Sequence, residues 1–287
     1  MIKALVFGDI IGKTGRKILE QNLDLLRDQI SPDIVLVNGE NSAGGFGITQ
    51  KIYETFTEKL MVSCVTMGNH WHDKKEVYSF YKTAAKMILP ANAWNVESEE
   101  KGFKVFSLSY DRGQYAVINL LGKTFMHPDN RSPFETLDKI LQKIPESIKI
   151  RILDFHAEAT SEKQAMGHYA DGRLSLVYGT HSHVPTADER ILSSNTGYTT
   201  DIGMTGAFDS VIGIHKEAAI QRFLNGDKKK FEPATQDPWL CAIVSHIDET
   251  TGFCHHIERL QWRLEISSEL EIVSRNKQQR TGDYEST

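Results

Sequence analysis

The sequence predicts an α/β fold with a mainly parallel sheet that is covered by helices on both faces. Apolar runs at 2–7, 33–37 and 62–67 have the length and composition of buried strands. Two segments with helical spacing, 15–28 and about 50–60, separate these runs. Strands that alternate with helices usually join a parallel sheet with both faces buried. A chain of 287 residues, of which 40% are hydrophobic, is long enough for one large α/β domain.

The rest of the chain predicts further strands and helices. The predicted elements are two strands within 103–121 around a turn at 111–113, a loop and helix within 125–144, a strand at 148–153, a helix at 161–169, a strand at 174–178, a strand or turn at 199–204, and a terminal hairpin of 239–245 and 254–264. We expect 1–265 to form a single domain and 266–287 to be a polar tail. Residues 103–144 are a candidate lid or oligomer contact.

Composition excludes several classes of protein. A formal net charge of −5 argues against a broad nucleic-acid-binding surface, although not against a small nucleotide. The three cysteines lack C-x-x-C spacing, so neither a disulfide framework nor a zinc ribbon is expected. The apolar run at the N-terminus is too short for a signal peptide, and no run reaches the length of a membrane span. We therefore expect a cytoplasmic protein without a membrane partner.

Three successive strands end in glycine followed by polar side chains. Asp9 follows the first strand, Glu40 and Asn41 follow the second, and Asn69 and His70 follow the third. In open α/β sheets, binding sites lie beyond the carboxyl ends of the strands. We therefore expect these five residues to converge, although they are far apart in sequence.

Two later strands end in histidine. His156 follows the run at 148–153, while His181 and His183 follow the run at 174–178. Because alternate side chains of a strand share a face, a His-x-His pair can aim both imidazoles at one point, where a metal is the usual occupant. Each of these residues alone also fits a helix cap, a turn or a surface loop. Together, the carboxylates, amide oxygens and imidazoles are typical ligands of borderline divalent metals, and their number indicates two ions.

Two close cations would suit the hydrolysis of a phosphate ester. A carboxylate such as Glu40 can bridge them, and a water held between them loses a proton near neutral pH. The cations also neutralise phosphate oxygens during in-line displacement. His70, which is next to Asn69 in sequence, could then donate a proton to the leaving alkoxide or steady the phosphoryl group.

Residues 8–14 also suggest a phosphate-binding loop, because Gly12-Lys13-Thr14 has the ending of that motif. The motif needs four residues between its first glycine and the Gly-Lys pair, whereas only three residues separate Gly8 from Gly12-Lys13. The loop would also put Asp9 where phosphates should bind. We therefore favour the interpretation of Asp9 as a metal ligand.

The strand-end strings resemble, in order, the motifs of calcineurin-like metallophosphoesterases, and most closely those of the bacterial YmdB-like family. The resemblance covers about residues 1–265, and its family-specific strings lie at 154–163, 186–192 and 201–206. It implies a four-layer αββα sandwich with a di-metal centre, which commonly holds iron, with manganese or zinc as alternatives. It also implies His70 as the catalytic histidine. The implied ligands are Asp9, Glu40, Asn41 and His183 for one metal and Glu40, Asn69, His156 and His181 for the other.

The activity implied by the resemblance is hydrolysis of phosphodiesters by a metal-bridging hydroxide. The implied substrates are 2′,3′-cyclic nucleotides and, in some relatives, 3′,5′-cyclic nucleotides. Two alternatives remain open: a regulatory nucleotide-binding protein that acts through partners, and a phosphomonoesterase. A homo-oligomer is a further expectation.

The sequence departs from the wider superfamily at three positions. Ile11 stands where a histidine is usual, and Glu40 stands where the bridging ligand is usually Asp. Both are traits of YmdB-like proteins, in which Asn41 would supply the missing ligand. Trp71 follows His70, where the wider superfamily often has an acid, so the orientation of the imidazole is left open.

Substrate contacts are less well defined. Gly44 and Gly45 could let backbone amides approach a phosphate, or could simply form a flexible turn. Asn92 is a third candidate contact. His72 could line the substrate cleft or lie on the surface.

Overall fold

The computed structural model of the protein describes residues 1–226, 231–264 and 272–274. Its strands in chain order are β1 (Ile2–Ile10), β2 (Ile34–Asn38), β3 (Cys64–Thr66), β4 (Met87–Ile88), β5 (Phe103–Ser107), β6 (Gln114–Leu121), β7 (Ile150–His156), β8 (Leu176–Thr180), β9 (Arg190–Ile191), β10 (Gly197–Thr199), β11 (Met204–Ala207), β12 (Pro238–Ile247), β13 (Cys254–Leu264) and β14 (Ile272–Ser274). Its α-helices are α1 (Gly12–Ile30), α2 (Gln50–Glu54), α3 (Val77–Phe80), α4 (Pro133–Lys143), α5 (Thr160–Ala170) and α6 (Lys216–Asn225).

The strands form two mixed sheets. The first sheet has the order β14-β13-β12-β11-β1-β2-β3-β4, and the second has the order β5-β6-β7-β8-β10-β9. Parallel pairs form the centre of each sheet, such as β1 with β2 and β7 with β8. Antiparallel pairs flank them, such as β12 with β13 and β5 with β6. The expectation of a mainly parallel arrangement is therefore met from β11 to β4 in the first sheet and from β6 to β10 in the second, and the remaining pairs are antiparallel.

Three apolar clusters separate four layers, which confirms the αββα sandwich. The cluster between the sheets joins Val6 and Leu36 of the first sheet to Val117 and Ile152 of the second. A second cluster packs the α1 side chains against the outer face of the first sheet. A third packs α4 and α5 against the outer face of the second sheet. Each fully buried aliphatic side chain contributes about 1.5–3 kcal/mol of hydrophobic stabilisation.

The first strand is longer than predicted and includes Asp9. We predicted a strand at 2–7 with Asp9 after its end, but β1 continues to Ile10 and α1 follows from Gly12. The extension pairs with β11: the Asp9 N–H donates to Gly203 O at 3.1 Å, and the Ile11 N–H donates to Thr205 O at 3.0 Å. Asp9 is consequently fixed at the rigid end of a central strand.

The helix predicted at 50–60 forms in two parts. Thr49 caps α2, because its hydroxyl accepts a hydrogen bond from the Ile52 N–H at 3.4 Å. A π-helical turn, Thr55–Lys59, then completes the segment. Thr55 and Thr57 donate their hydroxyls to carbonyls four residues earlier, on Lys51 and Tyr53.

Residues 103–144 are integral to the second sheet. The strand β6 is almost wholly buried, and α4 buries Leu137 and Ile140 against the sheet. No residue of this segment is among the described residues that line the cleft reported below. The oligomer-contact expectation stays a prediction.

The polar tail predicted for 266–287 lies outside the described residues, except for β14. This short strand pairs antiparallel with β13. No α-helix within the described parts of the chain is both long enough and apolar enough to cross a membrane.

Candidate metal centre

The carboxyl ends of the parallel strands bring the predicted ligands together from both sheets. Ligand atoms of Glu40, His156 and His181 all lie within 4.8 Å of one another. Ligand atoms of Asp9, Glu40 and His183 form a second group with the same spacing. Glu40 belongs to both groups, so its carboxylate is shared between them.

Three oxygens in the centre are buried without a hydrogen-bond partner. These atoms are Oδ1 of Asp9, Oε1 of Glu40 and Oδ1 of Asn41. The Asn41 amide nitrogen donates to Gly45 O at 3.0 Å, which leaves its oxygen as the free end of the side chain. A buried acceptor left unpaired costs about 1–3 kcal/mol, and a bound cation would remove that cost.

The Nε2 atom of His156 faces three other acceptors. It lies 3.1 Å from Glu40 Oε1, 2.9 Å from Asn69 Oδ1 and 3.1 Å from His181 Nδ1. One ring nitrogen carries at most one proton, so hydrogen bonds cannot satisfy all three contacts. A cation bound by all four groups would satisfy them together, which agrees with the donor set of borderline divalent metals.

Gly68 keeps this space open. A Cβ at Gly68 would lie 2.2 Å from Glu40 Oε2 and 2.4 Å from His156 Nε2. Any side chain there would displace the Glu40 carboxylate or the His156 ring. The glycine before Asn69 is therefore required by the close approach of two ligand side chains.

The outer nitrogen of each histidine is anchored to an oxygen at the same distance. The pairs are His156 Nδ1 with Thr180 Oγ1, His181 Nε2 with Glu158 Oε2 and His183 Nδ1 with Ile212 O, each at 2.8 Å. Histidine ligands of metals usually donate their second N–H in this way. The anchors leave Nε2 of His156, Nδ1 of His181 and Nε2 of His183 for metal binding. Glu158 was missed by the sequence analysis, although it lies two residues after His156.

A buried carboxylate fixes the tautomer of His156. Asp154 is fully buried and accepts hydrogen bonds from the Thr66 hydroxyl, the Asn38 amide and the Thr180 hydroxyl. Because Thr180 donates its single proton to Asp154 at 2.7 Å, its oxygen must accept from His156. His156 thus carries a proton on Nδ1, and its Nε2 faces the ligand group.

We expect Thr180→Val to weaken metal binding about 10- to 100-fold, because the variant keeps the shape of Thr180 but removes the acceptor for His156. Metal dissociation constants from competition with a chelating dye provide the measurement. Thr66→Val is the matched control, since it also removes one hydroxyl from Asp154 but leaves the His156 anchor. Equal losses of affinity in the two variants would contradict the tautomer role.

The loop that carries His181 and His183 has a strained backbone. The φ angles are 99° at His181 and 63° at His183, in the left-handed region that only glycine adopts freely. Such strain costs about 1–3 kcal/mol per residue and usually occurs at functional sites. The His181 N–H donates to Asp9 Oδ2 at 3.0 Å, so one predicted ligand helps to hold the other in place.

A buried ion pair supports this loop from below. Lys163 Nζ lies 2.6 Å from Asp201 Oδ2 and donates to Thr180 O at 2.8 Å. Asp201 also accepts from the N–H groups of Ser182 and Gly203. Removing one partner of a buried pair typically costs about 3–5 kcal/mol. Lys163 and Asp201 are therefore structural supports of the centre, outside the predicted ligand set.

Burial and mutual charge set the protonation of the ligands. Burial lowers the pKa of His156, but the neighbouring Glu40 carboxylate more than offsets this and the resulting pKa is about 9. Burial and the adjacent His156 lower the pKa of His181 to about 3. Burial raises the pKa of Asp9 above its usual range. In the metal-free protein, a protonated His156 therefore partly neutralises Glu40, and His181 is a neutral ligand.

We expect metal affinity to increase with pH up to about 9, where His156 loses its proton. The metal and the proton compete for one site, so raising the pH favours the metal. The dependence should approach tenfold per pH unit for each proton displaced. Calorimetric titrations in buffers with different ionisation enthalpies would count the protons released. An affinity that is constant across this range would contradict the assignment.

His70 lies beside the ligands but outside both metal-binding groups. Its backbone N–H donates to Glu40 Oε2 at 2.9 Å, and its Nδ1 lies 2.9 Å from Asp73 Oδ2. Asp73 thus orients the imidazole. The sequence had left this orientation open, because Trp71 and not an acid follows His70. Since Asp73 takes Nδ1, Nε2 is the nitrogen left for the cleft. Trp71 is buried and donates its indole N–H to Asn95.

The three predicted substrate contacts are placed differently from one another. Gly45 lines the cleft, but its N–H donates to Asn41 O at 3.1 Å and is not free for a phosphate. Gly44 has open space around it and a φ of 70°. Asn92 is fully buried: its amide donates to Leu121 O and Arg131 O, and its oxygen accepts from the Leu121 N–H. Asn92 therefore serves the fold, and its predicted contact with substrate is not supported.

Four of the seven candidate ligands, namely Glu40, Asn41, His181 and His183, form the floor of a cleft of about 550 Å³. This size suits a small organic ligand. His70 and Glu158 also line it, whereas His72 is not among the described lining residues. The lining side chains outside the floor are mainly apolar: Ile11, Phe46, Val184, Val211, Ile212, Ile214, Ala219, Phe223 and Phe231.

Comparison with known proteins relates this fold and this group of side chains to a class of phosphoesterases. The model of the YmdB-like protein family matches residues 5–260. The chain is 38% identical over 259 residues to a 2′,3′-cyclic-nucleotide 2′-phosphodiesterase of Bacillus subtilis (strain 168), covering 90% of this chain and 96% of that protein. It is 35% identical over 256 residues to a putative phosphatase/phosphodiesterase of Mycoplasma pneumoniae, covering 87% and 89% of the two chains.

Solved structures agree with this assignment. A hypothetical protein from Thermus thermophilus superposes with a TM-score of 0.83 at 33% identity, covering 91% of this chain and 99% of that chain. A structure described as a novel phosphatase from Mycoplasma pneumoniae gives a TM-score of 0.83 at 34% identity, covering 91% and 93%. The chain belongs to the YmdB-like family, as the sequence motifs predicted.

Proposed function

We propose that this protein is a di-metal phosphodiesterase that hydrolyses 2′,3′-cyclic nucleotides, and also 3′,5′-cyclic nucleotides or similar small phosphodiesters. The observation that carries the proposal is a pair of ligand groups that share Glu40, next to an imidazole that Asp73 orients. The Bacillus subtilis relative, named for 2′,3′-cyclic nucleotides, supports the choice of substrate.

The proposed ligands divide as the family resemblance implies. Asp9, Glu40, Asn41 and His183 would hold one cation, and Glu40, Asn69, His156 and His181 would hold the other. Iron is the proposed metal, with manganese or zinc as alternatives. When bound, the two cations would lower the pKa of water to give the nucleophile and would neutralise the phosphate oxygens.

The remaining steps belong to the chain's own side chains. Asp73 holds the His70 ring through Nδ1, so Nε2 can carry the proton that the leaving alkoxide needs. Glu40 accepts the His70 backbone N–H, which ties the acid to the ligand group. The apolar walls of the cleft exclude water from a bound ester and strengthen the electrostatic contacts inside it.

Turnover of a substrate panel by the purified, metal-loaded protein tests the proposal. The panel holds 2′,3′-cyclic and 3′,5′-cyclic nucleotides, nucleoside monophosphates and bis-p-nitrophenyl phosphate, with products separated by chromatography. We expect the cyclic nucleotides to be opened and the activity to be lost on chelation. Release of inorganic phosphate from the monophosphates alone would instead indicate a phosphomonoesterase, which the names of two relatives also allow.

A regulatory role is the second candidate function. Nucleotide binding with no turnover across the panel would favour a protein whose metal centre senses a nucleotide and acts through partners. An oriented imidazole at the ligand group favours the enzyme, because sensing alone does not need a proton donor. The cytoplasmic location and the homo-oligomer stay predictions.

A further inference from the structure

The cleft above the candidate ligands has a distinctly apolar side. Helix α6 contributes Phe223 to this side, the segment between β11 and α6 contributes Ile212, and the segment between α6 and β12 contributes Phe231. Phe46 also lines the cleft, and its ring packs against the His70 ring with centroids 5.0 Å apart and ring planes at 72°. None of these side chains is used by the metal centre or by the proposed proton transfer.

We propose that this apolar side binds the base of a nucleotide substrate, so that Phe223 and Phe231 determine the preference for nucleotides over other phosphodiesters. The proposal rests on the proposed function and extends it to a base-binding subsite. The aromatic rings and four of the candidate ligands, namely Glu40, Asn41, His181 and His183, line the same cleft. A phosphodiester held at the ligands would therefore have its ribose and base directed within the same cavity.

The dimensions and chemistry of the cleft fit this occupant. A volume of about 550 Å³ lies within the range that encloses a small ligand. Arg222 places its Cζ 3.6 Å from the centroid of the Phe231 ring, which makes a flat cationic and aromatic surface. Every base has a flat π-face that can stack on such a surface. Phe223 is 85% exposed, so its ring is accessible to a ligand.

The same side offers little to distinguish one base from another. Away from the floor, the described lining residues are mainly aliphatic or aromatic, with few groups to read the hydrogen-bonding edge of a base. Stacking tolerates changes of base, whereas hydrogen bonds to base edges specify it. Purine and pyrimidine cyclic nucleotides should therefore be turned over with similar kcat/KM.

Phe223→Ala tests the subsite, with Leu224→Ala as the matched control. Leu224 is the next residue of α6 and is 70% exposed, but it is not among the described residues of the cleft. Both substitutions alter exposed side chains, so both variants should fold. The substrates are adenosine and uridine 2′,3′-cyclic phosphates and a ribose 2′,3′-cyclic phosphate that lacks a base.

We expect Phe223→Ala to lower kcat/KM for both cyclic nucleotides about tenfold more than for the base-free substrate. The loss should appear in KM, because stacking of the base is equally strong in the ground and transition states. Leu224→Ala should preserve the ratio of nucleotide to base-free turnover found for the wild type.

Four results would overturn the subsite. Phe223→Ala could change all three substrates equally, or change none. Both α6 variants could instead dissociate an oligomer in light scattering, which would make this surface an interface between copies. The wild-type protein could turn over the base-free ester as well as the nucleotides, which would remove the subsite but leave the phosphodiesterase intact. No wild-type turnover of any of the three esters would overturn the proposed function itself.

Discussion

The Glu40→Gln variant should bind no more than one metal ion per chain and should lose at least about 100-fold in turnover. Glu40 is the one residue common to both ligand groups, and it is almost fully buried. The amide is nearly the same size as the carboxylate but is neutral. The neutral amide cannot balance the charge of two cations. It also replaces one of the two carboxylate oxygens by an NH2 group, which donates hydrogen bonds and does not bind a cation.

Elemental analysis and turnover of the same preparation would measure this effect. Glu158→Gln is the matched control, because it makes the same chemical change in a half-exposed carboxylate beside the same centre. The amide oxygen of this control variant could still accept the N–H of His181, so two metal ions should remain bound. Two tightly bound ions in Glu40→Gln would show that Glu40 does not bridge them.

The His70→Ala variant should retain both metal ions and lose about 10²- to 10⁴-fold in kcat. The imidazole lies outside both ligand groups, so its removal leaves the metal-binding atoms in place. Its loss removes the group that would protonate the leaving alkoxide. The effect should be smaller for bis-p-nitrophenyl phosphate, because nitrophenolate leaves without needing a proton.

His72→Ala is the control for this variant. His72 is two residues away, and its ring packs against Trp71 and Trp94 at centroid distances of 5.5 Å and 6.4 Å. We expect His72→Ala to preserve kcat on every substrate. A His70→Ala enzyme with wild-type kcat on cyclic nucleotides would remove His70 from the mechanism.

The positions of the candidate ligands could be predicted because they follow from local rules. A buried apolar run that ends in glycine and a polar residue marks the carboxyl end of a strand, and parallel strands bring such ends to one edge. Asp9, Glu40 and Asn69 were found in this way. The division of His181 and His183 between two metals came from the family resemblance, and the two ligand groups in the structure have the same division.

Other parts of the centre depend on contacts that no local pattern records. Thr66 and Thr180 meet on Asp154 from strands of different sheets. Asp73 is a surface-type residue in sequence and gains its role only because the turn after β3 brings it to His70. Asn92 shows the reverse error: the residue has site-like chemistry, but buried backbone groups take every hydrogen bond of its amide.

Short or atypical elements were also missed. The strands β4 and β9 have two residues each, which is too short for a period to be recognised. Helix α6 buries only Ala219 among its ten residues, so it lacks the apolar face that predicts a helix packed on a core. Of its exposed apolar residues, Phe223 lines the cleft, where it serves the proposed subsite.

The most direct test of the central claim is a metal titration of the chelator-treated protein, followed by its turnover of a 2′,3′-cyclic nucleotide. We expect no turnover without metal and a maximum at about two equivalents of iron or manganese per chain. Full turnover by the metal-free protein, or a maximum at one equivalent, would contradict a di-metal phosphodiesterase.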